Sequence, residues 1–205
     1  ADQAVIAIEN VRLFKELEAK TQDLTRSVGE LRALGDIGRA LSSTLDLDTV
    51  LQTIVTRASQ LAGTDACSLF EYDEVAEVFR LRASSYRDPE EAETLDAIGR
   101  ATPIPKGQGV VSRAAASRQP VQVSDIAVEG SYESPIRGPL MQAGYRAILT
   151  VPLFLEERVI GALGVTRKTP GEFAPEIVRL VTTFATQSAL AIQNAMMRPH
   201  FPSIM

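Results

Sequence analysis

Ala147-Ile-Leu-Thr-Val-Pro-Leu-Phe-Leu155 and Arg158-Val-Ile-Gly-Ala-Leu-Gly-Val-Thr166, joined by Glu156-Glu157, decide how this chain folds. Both runs are nearly continuous in Val, Leu and Ile, and both have strand length. A strand that is apolar at successive positions presents both faces to an interior. This hairpin is therefore expected at the centre of a sheet covered on two sides.

Moving toward the N-terminus, Ala66-Cys-Ser-Leu-Phe-Glu-Tyr72 and Val78-Phe-Arg-Leu-Arg-Ala83 read as a second hairpin across Asp73 to Glu77. The latter run alternates with period two, the signature of a half-buried strand. Before it, Leu47, Val50, Leu51, Ile54, Val55, Ala58 and Leu61 recur on one face of a helix from Leu47 to Ala62, which Gly63 ends. Between the hairpins come a polar helix from Pro89 to Ile98, a short helix from Gly109 to Ser117 and a short strand Val121-Gln-Val123. A polar loop from Asp125 to Pro135 and a helix near Pro139 to Ala143 follow. The last helix starts at Pro175, a favoured first helical position, and carries Ile177, Leu180, Val181, Phe184, Ser188, Ala191, Ile192 and Ala195 as one stripe.

The two ends of the chain match. Ala1, Gln3, Ala7, Ile8 and Asn10 recur as Ala185, Gln187, Ala191, Ile192 and Asn194. A self-match at so long a period points to tandem domains, so the chain is expected to begin with the last helix of a preceding copy. From about Val5 to Leu45 a long helix carries two columns seven residues apart, one through Phe14 and Val28 and the other through Leu17, Leu24 and Leu31. This is a coiled-coil seam. About forty helical residues span roughly 60 Å, more than a small domain covers, so the expected partner is the same helix of a second chain. The expected organisation is the end of a preceding domain and linker helix over 1–30, a domain over 31–197, and an irregular tail over 198–205.

Composition narrows the functional classes. The 205 residues are 45% hydrophobic, enough for a core, and carry a formal net charge of −5. No basic stripe is present to neutralise phosphates, which argues against nucleic acid. No apolar run is long enough for a membrane span, so direct membrane insertion is not expected. The single cysteine excludes an internal disulfide and fits the cytoplasm.

The order helix, helix, hairpin, loop-rich middle, hairpin, helix resembles a GAF domain, over roughly Leu31 to Met197. The resemblance rests on Gly109-Val-Val-Ser-Arg-Ala-Ala-Ala-Ser-Arg-Gln-Pro-Val-Gln-Val-Ser-Asp125, Arg146-Ala-Ile-Leu-Thr-Val-Pro-Leu153, Val159-Ile-Gly-Ala-Leu-Gly-Val165 and Phe184-Ala-Thr-Gln-Ser-Ala-Leu-Ala-Ile-Gln-Asn194. With its tandem copy and seam helix, the chain looks like the linker-and-GAF portion of a tandem-GAF bacterial sensor histidine kinase. The resemblance implies an α+β fold: an antiparallel sheet with a ligand pocket on one face, the terminal helices packed on the other, and a long coiled-coil-type helix before it. It also implies a regulatory, non-enzymatic sensory and dimerisation module, parallel in its homodimer and coupled to a downstream effector such as a kinase. A structural dimerisation spacer with a vestigial pocket is the alternative.

Candidate chemistry is sparse. GAF domains that bind cyclic nucleotides often carry an Asn-Lys, Phe, Asp-Glu pattern. Here Arg167-Lys168, Phe173 and Glu176 stand in its place, with Arg167 for Asn and Ile177 where the first acid belongs, so the motif is largely lost. Cys67 reads as a buried strand residue rather than a bilin anchor or redox sensor. A methionine sulfoxide reductase on this fold uses several cysteines. His200, the one histidine, lies in the tail, and no metal or catalytic-triad spacing surrounds it. Gly107-Gln-Gly109 lacks the Lys-Ser or Lys-Thr of a phosphate loop and reads as a turn before a helix. Long loops on rigid scaffolds carry function more often than their share, so Asp125 to Arg146 is either the ligand loop or solvated surface. If a small molecule binds, Asp125, Tyr132 and Arg146 are the expected contacts, with Thr150 on the floor. Which cofactor or ligand, if any, the domain takes is unknown from the sequence.

Overall fold

The structure, a computed structural model, describes residues 47–128, 130 and 132–196. The seam residues Phe14, Leu17, Leu24, Val28 and Leu31, the boundary near residue 30, the N-terminal copy and the tail over 198–205 lie outside them.

Helix α1 (Leu47–Ala62) buries Val50, Leu51, Ile54, Val55 and Ala58 of the stripe its apolar spacing predicts, together with Ala62, while Leu47 is half-buried. Leu61 shares the stripe by spacing but is 47% exposed at the helix end. Gly63 takes φ +63°, and the helix closes with Thr64 N–H on the Ser59 carbonyl and Gly63 N–H on the Gln60 carbonyl. That is the Schellman arrangement, which needs a left-handed residue and so favours glycine.

Strands β1 (Ala66–Asp73) and β2 (Val78–Tyr86) form the first hairpin. The Asp73 carboxylate accepts the Val75 and Ala76 N–H groups inside the turn. Helix α2 (Pro89–Ala101) follows, capped by Asp88, and leads to a two-residue strand β3 (Ile104–Pro105) on the outer edge of β2. Helix α3 (Gly109–Ser117), strand β4 (Val121–Val123) and helix α4 (Arg137–Gln142) lead to the long hairpin β5 (Ala147–Leu155) and β6 (Arg158–Arg167). Helix α5 (Pro175–Met196) ends the described region.

The six strands make one antiparallel sheet in the order β3-β2-β1-β6-β5-β4. The expected central hairpin is central: β6 lies between β1 and β5, and the first seven residues of β5 are all buried. The α+β arrangement expected from the sequence is thus borne out. The two register shifts, at Leu69/Phe70 and Leu153/Phe154, lie near Gly161, which pairs with Glu71 on one side and Leu153 on the other. A bulge adds local twist, and two on the same level curl the sheet.

The terminal helices α1 and α5 pack on each other and on one face of the sheet, while α2, α3 and α4 lie over the other. Successive strand residues point to opposite faces. Cys67, Leu69, Leu149, Val151, Leu163 and Val165 are buried beneath the terminal helices, alternating with the residues that face α2–α4. Ser188 is fully buried on α5 and satisfies its hydroxyl on the Phe184 carbonyl one turn back. Among the described residues no helix is long and apolar enough to cross a membrane.

Candidate functional site

On the α2–α4 side the sheet does not meet the helices everywhere. A partly enclosed cavity of about 60 Å³ remains. Its floor is the sheet, with Ser68 and Phe70 from β1, Gly164 and Thr166 from β6, and Ile148 and Thr150 from β5. Its roof is α2 (Leu95, Ile98, Gly99), the start of α3 (Val110, Val111) and α4 (Pro139, Leu140), closed at one side by Tyr132.

The floor has a pattern that follows from register. Ser68 pairs with Gly164 on β6, and Gly164 pairs with Thr150 on β5, so the three form a row across three strands. The middle member has no side chain, which leaves a notch flanked by two hydroxyls. A Cβ at Gly164 would lie 3.3 Å from Thr150 Oγ1, so that hydroxyl is directed at the notch. The row continues outward to Ser84 on β2.

Helix α2 is a thinly attached roof. It buries only Leu95 and Gly99. Gly99 packs closely on Leu81: a Cβ there would come within 2.7 Å of Leu81 Cδ2 and push that methyl aside. Polar contacts hold the rest. Ser84 Oγ donates to Asp96 Oδ1 at 2.6 Å, and Arg100, bonded within the helix to Asp96 Oδ2 at 2.7 Å, donates Nη2 to the Arg82 carbonyl at 3.5 Å. Burial works to raise the Asp96 carboxyl, but the Arg100 and Ser84 hydrogen bonds outweigh it and hold the group below the usual carboxylate range. At the other end Lys168 Nζ donates to Glu91 Oε1, and the Tyr145 hydroxyl lies 3.4 Å from Glu91 Oε2. Burial, helped by the Glu91 charge, pushes the Tyr145 phenol up and keeps it neutral.

The four residues expected to bind a ligand separate into two pairs. Tyr132, 5% exposed, and Thr150, 1% exposed, both line the cavity. Burial pushes the Tyr132 phenol up to about 12, opposed by nearby Ser134. The Ser134 Oγ is itself buried without a hydrogen bond of good geometry. Asp125 and Arg146 do not line the cavity; they bind each other. Arg146 Nε donates to Asp125 Oδ1 at 2.8 Å and Nη2 to Oδ2 at 2.6 Å, a two-point pair of the kind guanidinium geometry favours. Asp125 also accepts the Ala127 N–H at 2.9 Å. The Arg146 hydrogen bonds, with that of Ala127, hold the Asp125 carboxyl down to about 2. Arg137 adds a staple from α4, donating to the Ile126 and Ala127 carbonyls. This cluster anchors the start of the loop at Asp125, Ile126 and Ala127.

The remaining motifs have local uses. Gly109, at φ +70°, starts α3 and donates its N–H to the Glu133 carbonyl at 2.7 Å. The Arg167 guanidinium sits 4.5 Å over the Phe173 ring and donates to the Glu172 carbonyl. Cys67 is 1% exposed, and burial pushes its thiol up. Sequence reasoning missed Ser68 and Gly164. An isolated glycine within an apolar strand marks a close approach or an open space, and that signal stood in β6.

Residues 44–193 match the family model described as GAF domain. Similar solved structures include the GAF domain from a phosphoenolpyruvate-protein phosphotransferase of Coxiella burnetii (TM-score 0.68, 23% identity, 82% of this chain and 94% of that chain). The GAF domain from the Acinetobacter phosphoenolpyruvate-protein phosphotransferase has a TM-score of 0.64 at 22% identity, over 81% of this chain and 93% of that chain. A domain of a Sinorhizobium meliloti 1021 protein described as a two-component sensor histidine kinase has a TM-score of 0.57 at 18% identity, over 75% and 95%. At these identities the likeness is one of fold.

Proposed function

The chain belongs to the GAF domain family, and from that premise we propose that it is a regulatory sensory module of a cytoplasmic signal-transduction protein. The module carries no chemistry of its own. It passes occupancy of the cavity to α1 and α5, and through them to an effector such as a histidine kinase, as a parallel homodimer. Within it, Tyr132 and Thr150 touch the ligand, while Asp125 and Arg146 position the loop around it.

One observation carries the reading. The cavity and the terminal helices lie on opposite faces of the same three strands, β1, β6 and β5. A molecule pressing on Ser68, Gly164 or Thr150 pushes on strands whose alternate residues are the seat of α1 and α5. Interiors are close-packed and transmit strain, and a ligand shifts a conformational balance only by binding one arrangement better. The kinase part of the reading is supported by the fold shared with the Sinorhizobium domain and by the tandem match of the chain's ends.

Native mass spectrometry of the purified chain tests the proposal. A dimer retaining a small molecule, with hydrogen exchange in α5 slowed relative to the emptied protein, is the expected result. A dimer that stays empty when offered metabolite extract, with α5 exchange unchanged, would replace the sensor by a structural spacer.

A further inference from the structure

The cavity's chemistry narrows what it takes. Among its described lining residues there is no Asp, Glu, Lys, Arg or His. The charged groups nearest its walls are already engaged. Arg146 is held by Asp125, Lys168 by Glu91, Arg100 by Asp96, and Arg137 by two backbone carbonyls. An ion entering the cavity would lose its water and find no opposite charge to replace it. The polar groups that do line it are hydroxyls: Ser68, Thr150 and Thr166 on the floor, and Tyr86 and Tyr132 at the sides. Burial raises both phenols, so they stay protonated at neutral pH.

Size narrows it further. A buried water needs about 10–15 Å³ on this measure. The 60 Å³ present therefore admits about four waters, or an organic group of about five non-hydrogen atoms whose bonded atoms pack closer than waters do. The rest of the wall, from Phe70, Leu95, Val110 and Ile148, is apolar.

We infer that this cavity binds a small, uncharged, largely apolar molecule of about five non-hydrogen atoms, or the tip of a larger one, with its one polar group seated over Gly164 between the Ser68 and Thr150 hydroxyls. The inference rests on the sensory reading above and specifies its ligand class. The notch explains why a glycine stands in the middle of an otherwise well-filled strand. Two hydroxyls that can each donate or accept suit a carbonyl or an alcohol. The flanking strands supply no cation for a carboxylate or phosphate. The uncharged lining disfavours an anionic nucleotide.

The test is a set of probes matched in shape and differing in charge: 2-butanone, propionate and sec-butylammonium, titrated at neutral pH into the purified chain. Binding is read from the backbone and methyl NMR signals of Ser68, Thr150, Gly164 and Val110. The expected result is saturable shifts at these residues with butanone in the millimolar range, and binding at least tenfold weaker for either ion. Equal or tighter binding of either ion at the same residues overturns the uncharged class and leaves the cavity as a ligand site. Silence from all three overturns the inference together with the cavity's role. Two variants locate the polar group. Gly164→Ala fills the notch and is expected to weaken butanone at least tenfold while signals on the far face stay in place. Thr150→Val keeps the shape, removes the hydroxyl, and is expected to weaken it three- to tenfold, with recovery in Thr150→Ser. Unchanged butanone binding in both Gly164→Ala and Thr150→Val refutes the notch.

Discussion

Replacing Gly161 by alanine tests the sheet's geometry more sharply than any core truncation. Gly161 sits on β6 opposite Glu71, next to the β1 bulge. A Cβ built there would run into the Phe70 carbonyl oxygen, with the Phe70 carbonyl carbon at 3.1 Å and the Glu71 Cα at 3.3 Å behind it. All three are backbone atoms of the neighbouring central strand, so no rotamer change relieves the clash. Overpacking of this kind costs about 1–3 kcal/mol. Displacing the Phe70 peptide also weakens a ladder hydrogen bond worth about 1 kcal/mol net. Against this, alanine narrows the unfolded ensemble and returns about 0.4–1 kcal/mol. The net expectation for Gly161→Ala is a loss of about 1–3.5 kcal/mol, which for a domain of this size lowers Tm by about 2–14 °C. Gly164→Ala is the internal control. Its nearest neighbour is a hydroxyl at 3.3 Å that can turn away, so its stability should stay within about 1 kcal/mol of the parent. Urea denaturation followed by circular dichroism reads both. Equal effects from the two substitutions, or a Gly161→Ala loss under about 0.5 kcal/mol, would refute the close approach of β1 and β6.

Three further outcomes follow from the polar contacts. Asp125 has its folded pKa depressed to about 2, below the usual value near 3.9, so its pair with Arg146 stabilises the fold fully above pH 4 and loses that effect as pH falls toward 2. The stability gap between the parent and Asp125→Asn should close over that window; a gap unchanged down to the lower limit would refute the pair's role. Asp96 and Gln52 both bond Ser84, the first through its hydroxyl and the second through its carbonyl at 2.7 Å. A double-mutant cycle of Asp96→Ala with Gln52→Ala should show a coupling of about 0.5–1 kcal/mol, and additivity within about 0.3 kcal/mol would sink the link. Cys67, buried with its thiol pushed up, should resist a thiol reagent near pH 8 and react stoichiometrically only when urea unfolds the chain. Rapid modification of the folded protein would contradict its burial.

The parts of the fold that could be read from sequence were those with long, unmixed signals. The two central strands and α1 each carry a run long enough to specify element and face together. Strand β3 carries no such signal. It is two residues long, and Pro105 reads as a breaker, yet Ile104 finds its place by pairing with Phe79. Helix α2 runs to Ala101 rather than Ile98, because Gly99 serves as a close-packing point over Leu81 instead of a stop. Helix α4 begins at Arg137, two residues before Pro139, and lacks a side-chain cap to announce it. At the site, Tyr132 and Thr150 were reachable because one is an aromatic in a polar loop and the other a hydroxyl in an apolar strand. The partnership of Asp125 and Arg146 was not. The two lie 21 residues apart, and only the return of β5 beside that loop brings them together. A charged side chain in a loop advertises an interaction in sequence, but whether its partner is a ligand or the next strand depends on tertiary contacts.

Ser84 bears on how such a domain could couple its two faces. Its hydroxyl donates to Asp96 on the roof of the cavity, and its carbonyl accepts from Gln52 on α1, across the sheet. It also pairs in register with Ser68, which borders the notch. One β2 residue thus touches the roof, the floor and a terminal helix at once. A physical route for coupling requires an element whose arrangement both sites bias. Helix α2 is suited to be that element: it buries two residues and is held besides by polar contacts of Asp96, Glu91 and Arg100. A ligand that lifts α2 must strain or break the Asp96–Ser84 bond, and Ser84 then shifts against Gln52. Sheet strain through β1, β6 and β5 would move α1 and α5 together, whereas the Ser84 route acts on α1 alone. Slowed or quickened exchange confined to α1 would therefore assign the coupling to Ser84, and a matched change in α5 would assign it to the sheet.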